Sequence, residues 1–195
     1  MIDIDIGPRL LAARREAGLS VRALAAEIGV SGALISQIET GRTQPSVTTL
    51  YALVDRLGLS LDWLIGLTPV APPTGEPQPE GPPVRRADAH PVLQIAAGVR
   101  WELISSPADG AAEAVLVTYD PGASSSPEGQ PATHDGVESA YLIEGALTLL
   151  VDAESFDLVA GDSLVVDSRR PHRYENRSSA AARGIWMTTG TPHLS

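Results

Sequence analysis

The sequence contains no cysteine and no lysine. Without thiols there are no disulfides and no thiolate-ligated metal sites. All 14 basic residues are arginine, set against 24 carboxylates, for a net charge of −10. No apolar run reaches the roughly 18–20 residues needed to span a bilayer, so no membrane partner is expected. Met1 to Asp5 lacks the basic region of a signal peptide, and the expectation is a soluble cytoplasmic protein. Neither a Gly-rich phosphate loop nor a Gly-x-Ser-x-Gly elbow occurs, which removes the chemistry those motifs carry.

What is present divides in two. A chain of 195 residues allows one large domain or two small ones. Residues 1–70 hold 6 Arg and 7 acidic side chains, whereas residues 71–195 hold 8 and 17, so the excess acid lies almost wholly in the second part. Between them Pro69, Pro72, Pro73, Pro77, Pro79, Pro82 and Pro83 crowd together with Gly75 and Gly81. Neither a helix nor a central strand tolerates that density of proline. A linker is therefore expected over 68–83, separating a domain at 1–67 from one at 84–195.

The first part is organised around Gly18 to Pro45. Ser20 precedes Val21, Leu24, Ala25 and Ile28, the spacing of one buried helical face. Gly29 ends that helix, and Ser31 can cap a second from Gly32 to about Thr40. There Ile35 and Ile38 face inward, and Ala33, Ser36 and Gln37 face out. Val30 can staple onto Ile35, as Leu19 onto Leu24. Two short helices joined by a tight Gly-containing turn are the arrangement that sets a helix in a major groove. Gly7-Pro8 opens an earlier helix running to Ala17, with Pro where it costs no hydrogen bond. A fourth helix is expected over Val47–Leu57 and a fifth over Leu61–Ile65, with Trp63 as a core plug. Met1–Ile6 reads as a loose arm.

Residues Gly7 to Gly66 resemble the lambda-repressor/Xre family of helix-turn-helix domains, with five helices in order. The resemblance implies a double-stranded DNA operator as partner, bound by a homodimer. Position by position it assigns Ser31, Gly32, Ala33, Ser36 and Gln37 to the reading helix. It assigns Arg42, Thr43 and Gln44 to the loop that grips phosphate. Val21 departs from the family pattern, which often has a polar residue touching the backbone there. Arg14 and Glu39 correspond to a structural salt bridge in relatives.

From Val84 the pattern changes to short strands divided by turns. Candidates are Leu93–Ala96, Arg100–Ser105, Ala114–Tyr119, Ser139–Ile143, Ala146–Val151, Ser155–Leu158, Ser163–Val166, His172–Asn176 and Ala182–Thr188. Strands at this spacing predict an all-β sandwich or small barrel. The expected fold class is thus multidomain, an all-α five-helix domain followed by an all-β barrel.

Two motifs sharpen the second half. His134-Asp-Gly-Val-Glu138 is followed by Gly145, and Gly161-Asp162 by Pro171-His172 and Asn176. These residues resemble the two motifs of the cupin family, the small barrel fused to Xre domains in bacterial regulators. Metal-binding cupins usually offer three His and one Glu, and Ala132 stands where the first His is expected. His134, Glu138 and His172 remain, a set able to hold a divalent Fe, Mn, Ni or Zn ion and leave positions open. The alternative is a metal-free pocket in which they hydrogen-bond a polar effector. Tyr119, Tyr141 and Trp186 complete the expected effector pocket, with Trp101, Arg173 and Arg177 as further candidates. His90 and His193 match no motif and are expected to face solvent.

Two functions follow from the resemblances. One is a transcriptional regulator, not an enzyme, whose barrel senses a small molecule or metal. The other is a mononuclear iron oxygenase, since an epoxidase that closes the fosfomycin ring joins an Xre-like domain to a cupin with a His, Glu, His triad.

Overall fold

The computed structural model describes residues 2–59, 63–64, 84–105 and 112–189. Four α-helices, not five, are seen among them: α1 (Gly7–Glu16), α2 (Val21–Glu27), α3 (Gly32–Glu39) and α4 (Val47–Leu57). Of the expected fifth helix only Trp63 and Leu64 are described, both helical. The proposed linker over 68–83 and His193 lie outside the described residues. No single helix among the described residues is long and apolar enough to cross a membrane.

Local chemistry sets the helix ends. Ser20, Ser31 and Ser46 each turn a hydroxyl back onto the backbone N–H three residues on, at 3.1, 3.1 and 3.2 Å. Each satisfies one of the donors a helix start leaves unpaired. Gly58 ends α4 in the left-handed region, at φ 61°. Leu24, Ile35, Ile38, Leu50 and Leu53 form the core of this part, none more than 2% exposed. Gly7 lets α1 meet α3, since a Cβ there would stand 2.6 Å from the Ile38 carbonyl oxygen. Arg14 and Glu39 then join the two helices in a buried two-pronged ion pair.

Ile2–Asp3 is β1, and among the described residues nine strands form the second part: β2 (Pro91–Ile95), β3 (Val99–Ser105), β4 (Ala112–Tyr119), β5 (Val137–Glu144), β6 (Ala146–Val151), β7 (Glu154–Val159), β8 (Ser163–Asp167), β9 (His172–Glu175) and β10 (Ala182–Thr189). They are the nine expected, shifted by a residue or two at the ends. The larger sheet has the order β1-β2-β3-β4-β10-β5-β8 and the smaller β7-β6-β9. Inward positions alternate along β5, β9 and β10, so Glu138, Ala140 and Leu142, His172 and Tyr174, and Ala182 and Trp186 are buried, as are Val117 and Tyr119 of β4. Asn176 ties the end of β9 to its neighbours. Its buried amide donates to the carbonyls of Tyr119, Asp120 and Ala180, and its oxygen accepts from Ser178.

The N-terminal arm is not loose. Ile2–Asp3 forms β1, which pairs in parallel with β2 of the barrel. The Ile4 N–H donates to the Val92 carbonyl at 3.0 Å, and Ile6 is 1% exposed. Alternating Ile and Asp suits an edge strand, but only the folded barrel supplies the edge it pairs with.

Candidate functional site

The exposed face of α3 comes first. Burying Ile35, Ile38 and Glu39 turns the opposite side of α3 outward, and Ser31, Ala33, Ser36 and Gln37 are all exposed there, with Gly32 half-buried. Arg42 is exposed in the loop that follows, and Thr43 and Gln44 are half-buried. Val21 lies 3.7 Å from where a Gly32 Cβ would stand, so it packs the turn. The amides at the start of α3 form a positive end suited to phosphate.

The second site lies inside the barrel. Alternation along β5 turns Glu138 inward, and along β9 it turns His172 and Tyr174 inward. His134 arrives from the loop before β5. The donor atoms of His134, Glu138 and His172 all lie within 4.8 Å of one another. His134 Nε2 is 3.0 Å from Glu138 Oε1, and His172 Nε2 is 3.6 Å from the same oxygen. The Tyr174 hydroxyl donates to Glu138 Oε2 at 2.8 Å.

These surroundings decide the charges. Burial alone would raise the Glu138 carboxyl, but hydrogen bonds from His134 and His172, with their charge, hold it down to about 2. Burial lowers His172, and the hydrogen bond and charge of Glu138 more than reverse that, so its pKa is raised overall. Burial and the Glu138 charge push both Tyr119 and Tyr174 upward, so both remain phenols.

The same arrangement fits a divalent metal. His172 Nδ1 faces the Arg170 carbonyl at 2.8 Å, and His134 Nδ1 faces the Asp135 carbonyl at 3.1 Å. A proton on each Nδ1 leaves Nε2 as the ligating nitrogen, and the Tyr174 hydroxyl orients the carboxylate. Two imidazoles and a carboxylate leave positions open for water or substrate. Ala132, also at the pocket, offers no fourth ligand.

Tyr119, Glu138, His172 and Trp186 line the cavity together with Trp101. Tyr141 does not join them. It lies on the outer face of β5, 51% exposed, beside Ile185 of β10. Strand alternation from Glu138 requires this, because 141 has the opposite parity to 138. Arg173 and Arg177 also turn away and pair with Glu175. His90 is half-buried rather than open to solvent. Sequence reasoning missed Tyr174, although its spacing of two from His172 on one strand could have found it. It also missed Val47 and Tyr51 of α4, which line the cavity from the helical part; nothing local in the sequence signals that.

The chain thus joins an exposed, capped helix-turn-helix to a barrel with an inward His, Glu, His set. Comparison with known proteins agrees. The model of the helix-turn-helix family matches residues 10–64, and that of the cupin domain matches residues 115–188. The HTH-type transcriptional regulator PuuR of Escherichia coli is 28% identical over 95% of each chain. The crystal structure of an HTH_3 family transcriptional regulator from Vibrio cholerae superposes with a TM-score of 0.65 at 21% identity, covering 96% of each chain. Hydroxypropylphosphonic acid epoxidase from S. wedmorenis superposes at 0.50 and 18% identity, covering 94% of this chain and 96% of that one, a likeness of fold alone. The chain carries a helix-turn-helix domain followed by a C-terminal cupin domain, and it is similar over nearly its whole length to a transcriptional regulator.

Proposed function

We propose that the protein binds a specific operator as a homodimer, and that its barrel takes a small-molecule effector or a divalent metal that alters DNA binding. It works in the cytoplasm and is not an enzyme. The observation that carries this reading is the exposed polar edge of α3, held between a capped N-terminus and the Arg42 loop. Ser36 and Gln37 project from it, and Gln37 can pair with an adenine edge through both ends of its amide. One such helix reads only a few base pairs. A two-fold pair on half-sites about one helical turn apart multiplies both affinity and specificity.

Selection of genomic fragments by the full-length protein is the test. Enrichment of a two-fold sequence is the expected result, and recovery of bulk DNA only would overturn the reading. Gln37→Ala should cost about 1–3 kcal/mol and relax one base position.

The iron oxygenase is the second reading, favoured by the convergence of His134, Glu138 and His172. When bound, iron would supply oxygen activation, and these three residues would hold it. Elemental analysis of protein purified without added metal, followed by oxygen uptake with Fe(II) and candidate substrates, separates the two. Stoichiometric iron with substrate-dependent uptake would move the protein to the enzymes.

A further inference from the structure

The barrel cavity is walled in part by the helical half. Val47 and Tyr51, one turn apart on α4, line it alongside Trp101, Glu138 and His172. The Tyr51 ring stacks on the His134 imidazole, with centroids 4.1 Å apart and planes 12° from parallel. The same ring stands 6.0 Å from the Trp101 ring, tilted 59° to it. Just before α4, the Pro45 carbonyl accepts the Ala96 N–H of the barrel at 2.9 Å. Tyr51 thus sits on one of the three residues of the pocket's polar cluster.

Size makes the closure consequential. With Tyr51 in place the cavity measures about 30 Å³. Cavities of about 150 Å³ are what admit a benzene-sized guest, so this one has room for waters or an ion and no organic effector. An organic effector must displace Tyr51, and a ligand on His134 must move the imidazole against which Tyr51 stacks.

Movement there reaches the DNA-reading surface by a short route. The neighbouring face of α4 carries Leu50 and Leu53, buried in the same core as Ile35 and Ile38 of α3. Leu53 shares a small hollow with Ile35, Ile38 and Glu39. At the N-terminal end, the loop of Arg42, Thr43 and Gln44 runs straight into Pro45. One helix therefore lines the barrel cavity on one face and shares the core of α3 on another, with the loop of Arg42 at its start.

We propose that Tyr51 is the residue through which the state of the barrel pocket is passed to the DNA-binding domain: α4 is the lid of the effector site, and lid position sets operator affinity. This rests on the regulator reading above and adds its internal coupling. Tyr51 acts through α4 and is a positioning residue, with no DNA contact of its own. Coupling between two sites requires an element whose arrangement both sites bias, and α4 is the element that borders both.

The test is a double-mutant cycle on operator affinity in the full-length protein, using the sequence that the wild type selects. His134→Ala and Tyr51→Ala remove the same stacked contact from opposite sides. Each should shift affinity roughly five- to tenfold in the same direction, as an aromatic contact of about 1 kcal/mol allows. Together they should shift it no further than either alone. Tyr51→Phe keeps the ring and should retain wild-type affinity, and circular-dichroism melts should show both alanine variants as fully folded as the wild type at the assay temperature, so that loss of folding does not account for their shift. Additive effects, or no effect of either substitution on affinity, would overturn the coupling while leaving the regulator reading in place. Failure of the wild type to select any operator would remove both.

Discussion

Single residues carry the charge decisions. Arg14 and Glu39 are 7% and 9% exposed, and each is the other's ionic partner. Arg14 Nη2 donates to Glu39 Oε2 at 2.9 Å, and Nη1 donates to the Leu19 carbonyl at 2.7 Å. Removing one member of a buried pair costs far more than the pair contributes, because a charge is left unpaired in a poor solvent. Glu39→Ala should therefore destabilise the helical half by about 3 kcal/mol, seen as an earlier loss of helix in a thermal melt of the whole chain. An unchanged melt would show that solvent reaches Arg14 freely. The exposed Arg56–Glu27 pair on α4 and α2 gives a contrast. Water solvates both charges there, and removing Glu27 should change little.

Elements fix what these residues can reach. A tight turn carries the chain from β5, the strand of Glu138 in the larger sheet, into β6 of the smaller sheet rather than closing a hairpin. Gly145 makes that turn at φ 80°, where L side chains are strained, and a Cβ would meet the Ala181 carbonyl oxygen at 2.4 Å. Gly145→Ala should cost roughly 2 kcal/mol or more and shift the melt of the barrel, whereas alanine at Gly122, with nothing within 4 Å, meets backbone strain alone. Strand alternation is the other elemental rule. It turns Glu138, His172 and Tyr174 inward and Tyr141 outward with no help from the rest of the fold. Helix α4 shows where such local rules stop. Its apolar stripe marks Leu50 and Leu53 for a core, but Tyr51 is assigned a partner only when the barrel is in place.

At the scale of the whole molecule, charge governs how DNA is held. The chain carries −10 overall, yet residues 1–70 hold nearly equal numbers of arginines and carboxylates. On the proposed reading, affinity rests on a few placed contacts, Arg42 and the α3 N-terminus among them, rather than on a broad basic field. The dependence of operator affinity on salt should be shallow, with a slope magnitude below about 5 for the bound dimer. Arg42→Ala should lower that slope by about 1 per protomer and weaken every sequence alike. Binding measured at several salt concentrations gives both values. A steep slope would require phosphate contacts from elsewhere in the chain.

The sequence by itself determined what depends on neighbours along the chain. Ser20, Ser31 and Ser46 announced their helices, because a cap acts within one turn. The nine barrel strands were legible from alternation and turn residues. The spacing of His134, Glu138 and His172 was legible from their two motifs. Tertiary structure decided what depends on residues far apart. It made Ile2–Asp3 a strand by supplying the β2 edge, since a strand has unpaired backbone groups until a neighbour meets them. It placed Tyr174 on Glu138, and it brought Tyr51 of a helix onto His134 of a barrel loop. Those contacts join segments separated by tens of residues, and no local period encodes which distant ring a side chain will meet.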